Sequence, residues 1–171
     1  MKWIFYWNYC IVNFRLASWN NYRVYVNQFN IKLIMRCLIV TPEKTILDME
    51  ASFVVLPLYD GEFGVLPNHL PVVARIGAGD IRIHDQNHQD AEPVCYYLEG
   101  GFVEILDNNI IVMSLFAMPV KDLDMKIAES QLQKVIERPF HTPELAKIRE
   151  EQLYTRRARL KIAKKYHPNP N

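Results

Sequence analysis

The sequence lacks the motifs by which many enzymes are recognised, and it is poor in glycine and cysteine. Only six of its 171 residues are glycine. None of them belongs to a GxGxxG, Walker or GxSxG loop, the usual signatures of nucleotide-binding proteins and serine hydrolases. The three cysteines, Cys10, Cys37 and Cys95, are not closely spaced, which argues against a disulfide scaffold and a CxxC metal site. We expect Cys37 and Cys95, which lie in apolar runs, to be buried reduced thiols.

The chain is also short of net charge, but its charges are unevenly distributed. The formal charge is +1, so bulk charge indicates no partner. Residues 1–34 contain four basic and no acidic side chains, residues 35–120 carry a net charge of −8, and residues 121–171 carry +5. This asymmetry predicts three segments with different surroundings. The length suits one domain with a substantial core and an appendage.

Residues 1–34 show no helical or strand periodicity. Their apolar run is interrupted by Asn8 and Asn13 and is too short for a transmembrane helix. A lysine and an apolar stretch come first, as in a signal peptide, but no convincing cleavage site follows them. Met35, in contrast, is followed at once by the strand-like run RCLIVT. We therefore expect Met35 to be the natural start, and residues 1–34 to be a non-native or unstructured extension.

Residues 35–120 have the pattern of an antiparallel β domain. Short apolar runs, several of them alternating, are separated by turn signals, among them Asp60-Gly61, Gly100-Gly101 and Asp107-Asn108-Asn109. Seven to ten short strands with regular turns are typical of a sandwich or barrel. No helix intervenes between these strands, so we do not expect a parallel sheet.

After Pro119 the apolar period becomes helical. Asp122 is the expected cap of a first helix that ends near Arg138, and Thr142 is the expected cap of a second helix that ends near Tyr166. Residues 121–171 are therefore predicted to form a two-helix hairpin. The expected apolar stripe of the first helix is Leu123, Ile127, Ala128, Leu132, Val135 and Ile136. The second helix ends in a basic cluster of Arg156, Arg157, Arg159, Lys161, Lys164 and Lys165.

The stretch DGEFGVLPNHLP at residues 60–71 is the strongest candidate for a functional site. Its glycines permit a tight turn and its prolines stiffen the chain beyond it. Glu62 and His69 could form an acid–base pair, but no nucleophile, second carboxylate or oxyanion site accompanies them. A rigid exposed loop without catalytic groups is better suited to docking than to catalysis.

A second candidate is the histidine pair at the end of a strand. His84 and His88 have a spacing that would suit zinc on a helix. They lie in HDQNHQD, however, which reads as the tip of a hairpin, where this spacing does not bring the two rings together. We therefore expect no metal at this position.

Four stretches resemble the epsilon subunit of F-type ATP synthases, the subunit called delta in the mitochondrial enzyme. LIVTPEK at residues 38–44 resembles the first strand and turn of that family. DGEFGVLPNHLPVVARIGAGDIRI at 60–83 is similar to its signature stretch, and LEGGFVEILDNNIIVMS at 98–114 to a later hairpin. DLD at 122–124 resembles the junction with the C-terminal helices. The resemblance covers residues 35–167.

The resemblance implies a mainly β fold of the α+β class: an antiparallel sandwich of about ten strands over residues 35–120, then a helical hairpin. It also implies a non-catalytic rotor subunit of the central stalk, whose sandwich lies between the gamma subunit and the c-ring. The hairpin would either fold on the sandwich or extend toward the catalytic beta subunits and the alpha subunits, where it restrains ATP hydrolysis. The protein would lie peripherally on the cytoplasmic face of a bacterial inner membrane, or on the matrix or stromal face in an organelle.

Individual residues take roles from the same resemblance. Glu62 and His69 would lie in the edge that docks on the c-ring and the gamma subunit. Arg156, Arg157 and Arg159 would belong to the inhibitory helix.

Some bacterial members of this family bind ATP at the folded hairpin. The motif on the first helix here reads Leu-Asp-Met-Lys-Ile-Ala at residues 123–128, with Ile127 in place of the arginine that would meet phosphate. On the second helix, Arg159 falls at one arginine position, whereas Thr155 occupies another. Because bidentate guanidinium contacts hold phosphate, these losses predict that the protein has no ATP cofactor.

Two other classes of function remain as alternatives. The basic helix would suit a nucleic-acid binder, although the sequence contains no aromatic stacking platform or RNA-binding motif. A small β-sandwich enzyme would use Glu62 and His69. We expect neither a nucleic-acid partner nor an enzyme.

Overall fold

Eight strands and two helices follow one another in the computed structural model, which describes residues 34–85, 92–139 and 143–168. All of them belong to one unit, Leu33–Asn171. The predicted extension lies outside the described residues, apart from residue 34. The strands are β1 Met35–Val40, β2 Thr45–Ala51, β3 Phe53–Leu58, β4 Gly61–Val65, β5 Val72–Arg75, β6 Ala78–His84, β7 Val94–Leu106 and β8 Asn109–Pro119. A 3-10 turn, Val120–Asp122, leads to α1, Met125–Glu137, and α2, Pro143–Tyr166.

Two long strands, β7 and β8, hold the sandwich together. The strand order is β2-β1-β8-β7-β6-β3-β4, and β5 also pairs with β7. The first half of β7 pairs with β6, whereas its second half pairs with β5. Strand β8 follows β7 along nearly its whole length through a two-residue turn at Asp107 and Asn108, both at positive φ. This turn confirms the prediction from the sequence, and the architecture confirms the predicted fold class.

The eight described strands fall within the seven to ten that the pattern predicts, but they are fewer than the ten or so implied by the resemblance, and Gly100-Gly101 is not a turn. The runs VCYYLEG and FVEIL, which the pattern separated, form the single strand β7. Gly100 and Gly101 have φ values of 63° and 114°, which bend the strand without ending its pairing with β8. Two glycines favour a turn in a sequence, but here they lie inside one strand, between the half that pairs with β6 and the half that pairs with β5.

One pair departs from the antiparallel prediction. Strand β1 runs parallel to β8, with Arg36 opposite Asn109 and Val40 opposite Met113. A parallel pair needs a long crossover connection, which is usually a helix. Here the crossover consists of the strands between β1 and β8, and the absence of a helix therefore did not exclude parallel pairing.

The core lies between the two layers and follows the alternation of the strands. Met35, Cys37 and Ile39 of β1 are buried, whereas Arg36 between them is exposed. The core continues with apolar side chains of the other strands, including Val54, Leu56, Ile81, Ile83, Val103, Ile105, Ile110 and Val112. Cys37 is thus a buried free thiol, as predicted.

The first helix begins two residues later than predicted. Asp124 is its N-cap, with the carboxylate accepting a hydrogen bond from the Ile127 N–H at 3.0 Å. The predicted cap, Asp122, instead ends the 3-10 turn. Of the expected apolar stripe, Leu123 and Ala128 are buried and Leu132 and Val135 are half-buried, but Ile127 and Ile136 are exposed. The second helix ends at Tyr166 as predicted, and its expected cap, Thr142, lies outside the described residues.

The helical hairpin packs on the outer face of the sandwich through a second, smaller apolar cluster. Tyr97 of β7 and Val120 contribute from the sandwich side, and Ala128, Ile162 and Ala163 contribute from the helices. No helix in the described part of the chain is long and apolar enough to span a membrane.

The bend in β7 gives a test of the fold. In Gly101→Ala, the new Cβ would collide with the carbonyl oxygen of Met113 and lie 2.9 Å from the Cα of Ser114. We expect this change to lower the free energy of unfolding by more than about 3 kcal/mol in chemical denaturation. Gly100→Ala is the matched control, since its Cβ meets only Leu115 at 3.7 Å, and it should cost about 1–2 kcal/mol. Equal losses in the two variants would contradict the close approach at Gly101.

Candidate functional site

Glu62 lies on the hairpin side of β4 and is paired with Arg82 of β6. Its two carboxylate oxygens accept hydrogen bonds from the guanidinium at 2.6 and 3.0 Å. These hydrogen bonds lower the pKa of Glu62 below its ordinary value. The Glu62 side chain remains 62% exposed. It is therefore an ionised carboxylate that a partner can still reach.

His69 makes contacts different from those of Glu62. Its ring packs edge-on against Phe63, with 5.3 Å between centroids. Its Nδ1 lies 2.8 Å from the carbonyl oxygen of Leu70, to which it donates. Phe63 packs on the core and neighbours Glu62 in β4, so the side chains of Phe63 and Glu62 point to opposite faces of the strand. Glu62 and His69 therefore do not form a hydrogen-bonded acid–base pair.

The loop that carries His69 is fixed to the turn between β7 and β8. Asn68 has a φ of 63°, and its N–H donates to the Asn108 side chain at 2.6 Å. The Asn108 amide donates back to the Asn68 side chain at 3.3 Å. Leu66 and Leu70 of the loop are 59% and 78% exposed. The loop thus presents two exposed leucines on a braced backbone. The sequence predicted docking for this loop, but it did not single out these leucines.

A buried carboxylate, Asp80, anchors the end of α2. Its Oδ2 accepts hydrogen bonds from Lys165 and from the Tyr166 hydroxyl, each at 2.8 Å, and lies 3.3 Å from Arg82. Burial opposes ionisation of Asp80, but these donors outweigh it and hold its pKa below the ordinary value. The Tyr166 hydroxyl also lies 3.3 Å from the Cys95 sulfur. Cys95 is therefore only half-buried, under the end of the helix, rather than in the core.

The predicted inhibitory arginines divide into two groups. Arg156 and Arg159 reach Glu99 of β7 at 3.4 and 3.8 Å. The Arg159 guanidinium also lies over the rings of Tyr97 and Phe116, at 5.9 and 5.3 Å from their centroids. Arg157 is exposed. Two of the three arginines thus hold α2 against the sandwich, whereas the third faces solvent.

An open groove of about 600 Å³ runs between α2 and the sheet. Its lining includes Glu62 and Asp80 from the strands and Tyr154, Arg157 and Lys161 from α2. The groove brings Glu62 and the basic helix to one side of the molecule. The resemblance implied a hairpin that can fold on the sandwich, but not that Glu62 and the basic cluster would share one groove.

Sequence reasoning also missed Asp80, although it noted its neighbour. Ile81, Arg82 and Ile83 form one of the alternating runs of the β domain, and Ile81 and Ile83 are buried as that alternation predicts. Asp80 is two residues from Arg82 and shares its outward face. That face is covered by α2, and no local pattern in the sequence indicates such a cover.

The remaining candidate positions are Ile127, Thr155 and the histidine pair. Ile127 is exposed on α1, and the Thr155 hydroxyl donates to the Glu151 carbonyl at 3.0 Å. No group of three or more His, Cys, Asp and Glu side chains within residues 34–85, 92–139 and 143–168 could hold a metal ion. His84 ends β6, and His88 lies outside the described residues.

Glu99 provides a test of how the helix is held. Glu99→Gln removes the charge that pairs with Arg156 and Arg159. We expect hydrogen exchange of the α2 backbone amides to accelerate about fivefold, the equivalent of ~1 kcal/mol. Glu104→Gln, in the other half of β7, is the matched control and should leave α2 unchanged. Equal exchange in both variants would show that the Glu99 ion pairs do not hold the helix.

Comparison with known proteins gives a consistent result. Residues 34–120 match the family model of the ATP synthase delta/epsilon chain β-sandwich domain. The ATP synthase epsilon chain of Rhodopirellula baltica is 36% identical over 130 residues, which are 76% of this chain and 98% of that protein. The epsilon chain of Rubrobacter xylanophilus is 30% identical over 135 residues, which are 79% of this chain and 86% of that protein.

Solved structures share the fold. A chain of the Euglena gracilis mitochondrial ATP synthase superposes with a TM-score of 0.64 at 17% identity, covering 78% of this chain and 83% of that chain. A chain from the central stalk and c-ring of the Tetrahymena thermophila enzyme gives 0.60 at 15% identity, covering 75% and 96%. The sandwich, the hairpin and the near-complete match to bacterial relatives lead to one conclusion: this chain belongs to the delta/epsilon family of ATP synthase subunits.

Proposed function

We propose that this protein is a non-catalytic rotor subunit of an ATP synthase that couples ion flow through the c-ring to ATP synthesis. The observation that carries the proposal is the match to an ATP synthase epsilon chain over 98% of that relative's length, spanning both sandwich and hairpin. In this role the sandwich lies between the gamma subunit and the c-ring. The protein is then peripheral to the membrane, on the cytoplasmic face in a bacterium or on the matrix or stromal face in an organelle.

The docking end is the braced loop together with Glu62. Leu66 and Leu70 supply apolar contact area. Because the Asn68–Asn108 hydrogen bonds already hold their backbone, little conformational freedom is lost on binding. Glu62 and His69 flank this surface. The net charge of −8 over residues 35–120 suits basic loops on the partner and steers their approach.

The basic end of α2 is the inhibitory element. In the docked hairpin, Arg156 and Arg159 are paired with Glu99, and Arg157 is exposed. When the hairpin extends, all three arginines become free to meet acidic surfaces of the catalytic beta subunits and the alpha subunits. The same charges thus hold the helix in one state and restrain ATP hydrolysis in the other.

The alternative of a nucleic-acid binder finds no support. Arg156, Arg159 and Lys165 are paired with carboxylates of the sandwich, so the helix offers less free positive charge than its sequence indicates. We do not propose it further.

Deletion of residues 121–171 tests the two parts of the proposal together. Because the sandwich carries the docking end, the truncated protein should still co-purify with the gamma subunit and the c-ring. Because the inhibitory helix is gone, ATP hydrolysis by the complex should rise about two- to fivefold. If the full-length chain did not co-purify with the gamma subunit and the c-ring, the rotor assignment would be overturned. If hydrolysis by an intact complex with the truncated protein were unchanged, the inhibitory assignment would be overturned.

Point variants refine this test. Neutralising Arg156, Arg157 and Arg159 together should reproduce much of the rise, and added salt should shrink the difference from wild type. Arg157→Gln is the cleanest single change, since Arg157 does not pair with Glu99. If the triple variant failed to raise hydrolysis, inhibition would stem from packing or steric obstruction.

The hairpin is proposed not to respond to ATP, because Ile127 and Thr155 replace phosphate-binding arginines. Millimolar ATP should leave hydrogen exchange in α1 and α2 unchanged. Thr155→Arg combined with Ile127→Arg is the informative comparison, because restored guanidinium groups would create a response if the site is otherwise intact. Protection by ATP in the wild type would contradict the proposal.

A further inference from the structure

The exposed carboxylate at the docking end and the buried anchor of α2 share one guanidinium. Arg82 binds Glu62 in bidentate fashion at 2.6 and 3.0 Å, and its Nη1 also lies 3.3 Å from Asp80. Asp80 in turn binds Lys165 and Tyr166. A continuous chain of ion pairs therefore connects the surface of β4 with the last turn of α2.

The charges in this chain balance in pairs. Two carboxylates, Glu62 and Asp80, face two cations, Arg82 and Lys165, and all of the contacts to Asp80 fall on one oxygen, Oδ2. Glu150, Arg157 and Lys161 line the same groove, so the surroundings of the chain already contain more positive than negative charge. Glu62 thus helps to keep Lys165 next to Asp80.

Exposure differs sharply along the chain. The side chain of Glu62 is 62% exposed, whereas that of Asp80 is 5% exposed. A cationic partner can therefore reach Glu62 but not Asp80. When it does, Arg82 loses its bidentate partner and shifts its charge toward Asp80, where it competes with Lys165.

We propose that a lysine or arginine side chain that binds Glu62 loosens the docked end of α2, and that Arg82 and Asp80 carry this effect. Docking on the rotor then favours release of the hairpin, and the inhibitory arginines become available only once the subunit has been assembled. The inference rests on the proposed function in taking a docking partner as the source of the cation. Its route through Arg82 is a property of this chain alone.

Cys95 provides a built-in reporter of the docked end. It lies under Tyr166, and burial raises the pKa of its thiol. Alkylation of Cys95 therefore measures how often the end of α2 lifts. Cys37 lies in the sandwich core, where burial raises the pKa of its thiol to about 12, so its alkylation reports opening of the whole sandwich. The full chain carrying Cys10→Ser keeps these two thiols, which peptide mapping separates.

Glu62→Gln is the central variant, because it removes the same negative charge that a bound cation would neutralise. We expect Cys95 alkylation to accelerate about two- to fivefold while Cys37 stays unreactive. Asp80→Asn sets the upper limit and should accelerate alkylation more than about tenfold, since it removes the acceptor of Lys165 itself. Asp60→Lys, which supplies a cation two residues before Glu62, should act in the same direction as Glu62→Gln.

Asp48→Asn is the matched control. It breaks another exposed bidentate pair, Arg36–Asp48 with contacts of 2.6 and 2.8 Å, on β1 and β2, which pack mainly against each other and β8. It should leave the alkylation rate of Cys95 unchanged. The route is tested by a double-mutant cycle, in which Glu62→Gln should add nothing when Arg82→Gln is already present.

Several results would overturn the proposal. One is an alkylation rate of Cys95 that is unchanged or slower in Glu62→Gln, and another is an equal rise of that rate in Asp48→Asn. The others are no rise of the Cys95 rate in Asp60→Lys, and a parallel rise of the alkylation rate of Cys37 in Glu62→Gln. If Glu62→Gln accelerated Cys95 alkylation as much in the Arg82→Gln background as in wild type, the proposed route through Arg82 would be overturned. Co-purification of Glu62→Gln with the gamma subunit and the c-ring is measured separately. Weaker assembly with an unchanged Cys95 rate defeats only this inference, whereas a faster Cys95 rate with normal assembly defeats only the docking role of Glu62.

Discussion

The arrangement of the hairpin depends on one buried negative charge. An ionised carboxylate removed from water is costly unless cations and hydrogen-bond donors surround it. In the docked state Asp80 meets that requirement through Lys165 and Tyr166 at the end of α2 and through Arg82 of β6. The docked helix therefore satisfies Asp80, and Asp80 holds the helix. Once the helix leaves, water replaces both donors, so the open state also avoids an unpaired buried charge.

The replacement of Lys165 and Tyr166 by water at Asp80 is possible because part of the interface between hairpin and sandwich is polar. On the helix side, its apolar part consists of the buried Ala128, Ile162 and Ala163, with the partly buried Met125, Leu160 and Tyr166 packed against them. Ion pairs around Asp80 and Glu99 lie beside this apolar part. A larger apolar interface would bind the helix too tightly to be released by a partner. Ion pairs at a half-exposed boundary contribute modestly, and their strength changes with neighbouring charge and salt. Such an interface is suited to regulation.

The parts of the fold that follow local rules could be predicted from the sequence. The alternation around Ile81 and Ile83, the turn at Asp107 and the end of α2 near Tyr166 all depend on neighbouring residues. The parallel pairing of β1 with β8 could not be predicted, because it depends on which distant strands become neighbours. The predicted turn at Gly100-Gly101 was wrong for a related reason. Glycine permits both a turn and a bend within a strand, and only the strand that pairs with it decides between them.

The candidate site shows the same division. Glu62 and His69 were found because they belong to a recognisable stretch, whereas Asp80 and Glu99 gain their importance from a helix more than fifty residues away. The choice of Asp124 over Asp122 as the helix cap was likewise decided by packing, since the 3-10 turn buries Val120 before the helix begins. Sequence reasoning identifies chemical groups well, but it does not identify what covers them.

The parallel pairing of β1 with β8 also constrains the order in which the protein folds. β1 is the first described strand and β8 the last, so their pairing joins segments about seventy residues apart. Contacts between such distant segments slow folding, because a long loop must close before they form. The sandwich cannot be completed until β8 has left the ribosome, and the outer face that receives α2 includes the end of that same strand. Helix α2 follows β8 in the chain, so it emerges after the strand that completes the face on which it packs.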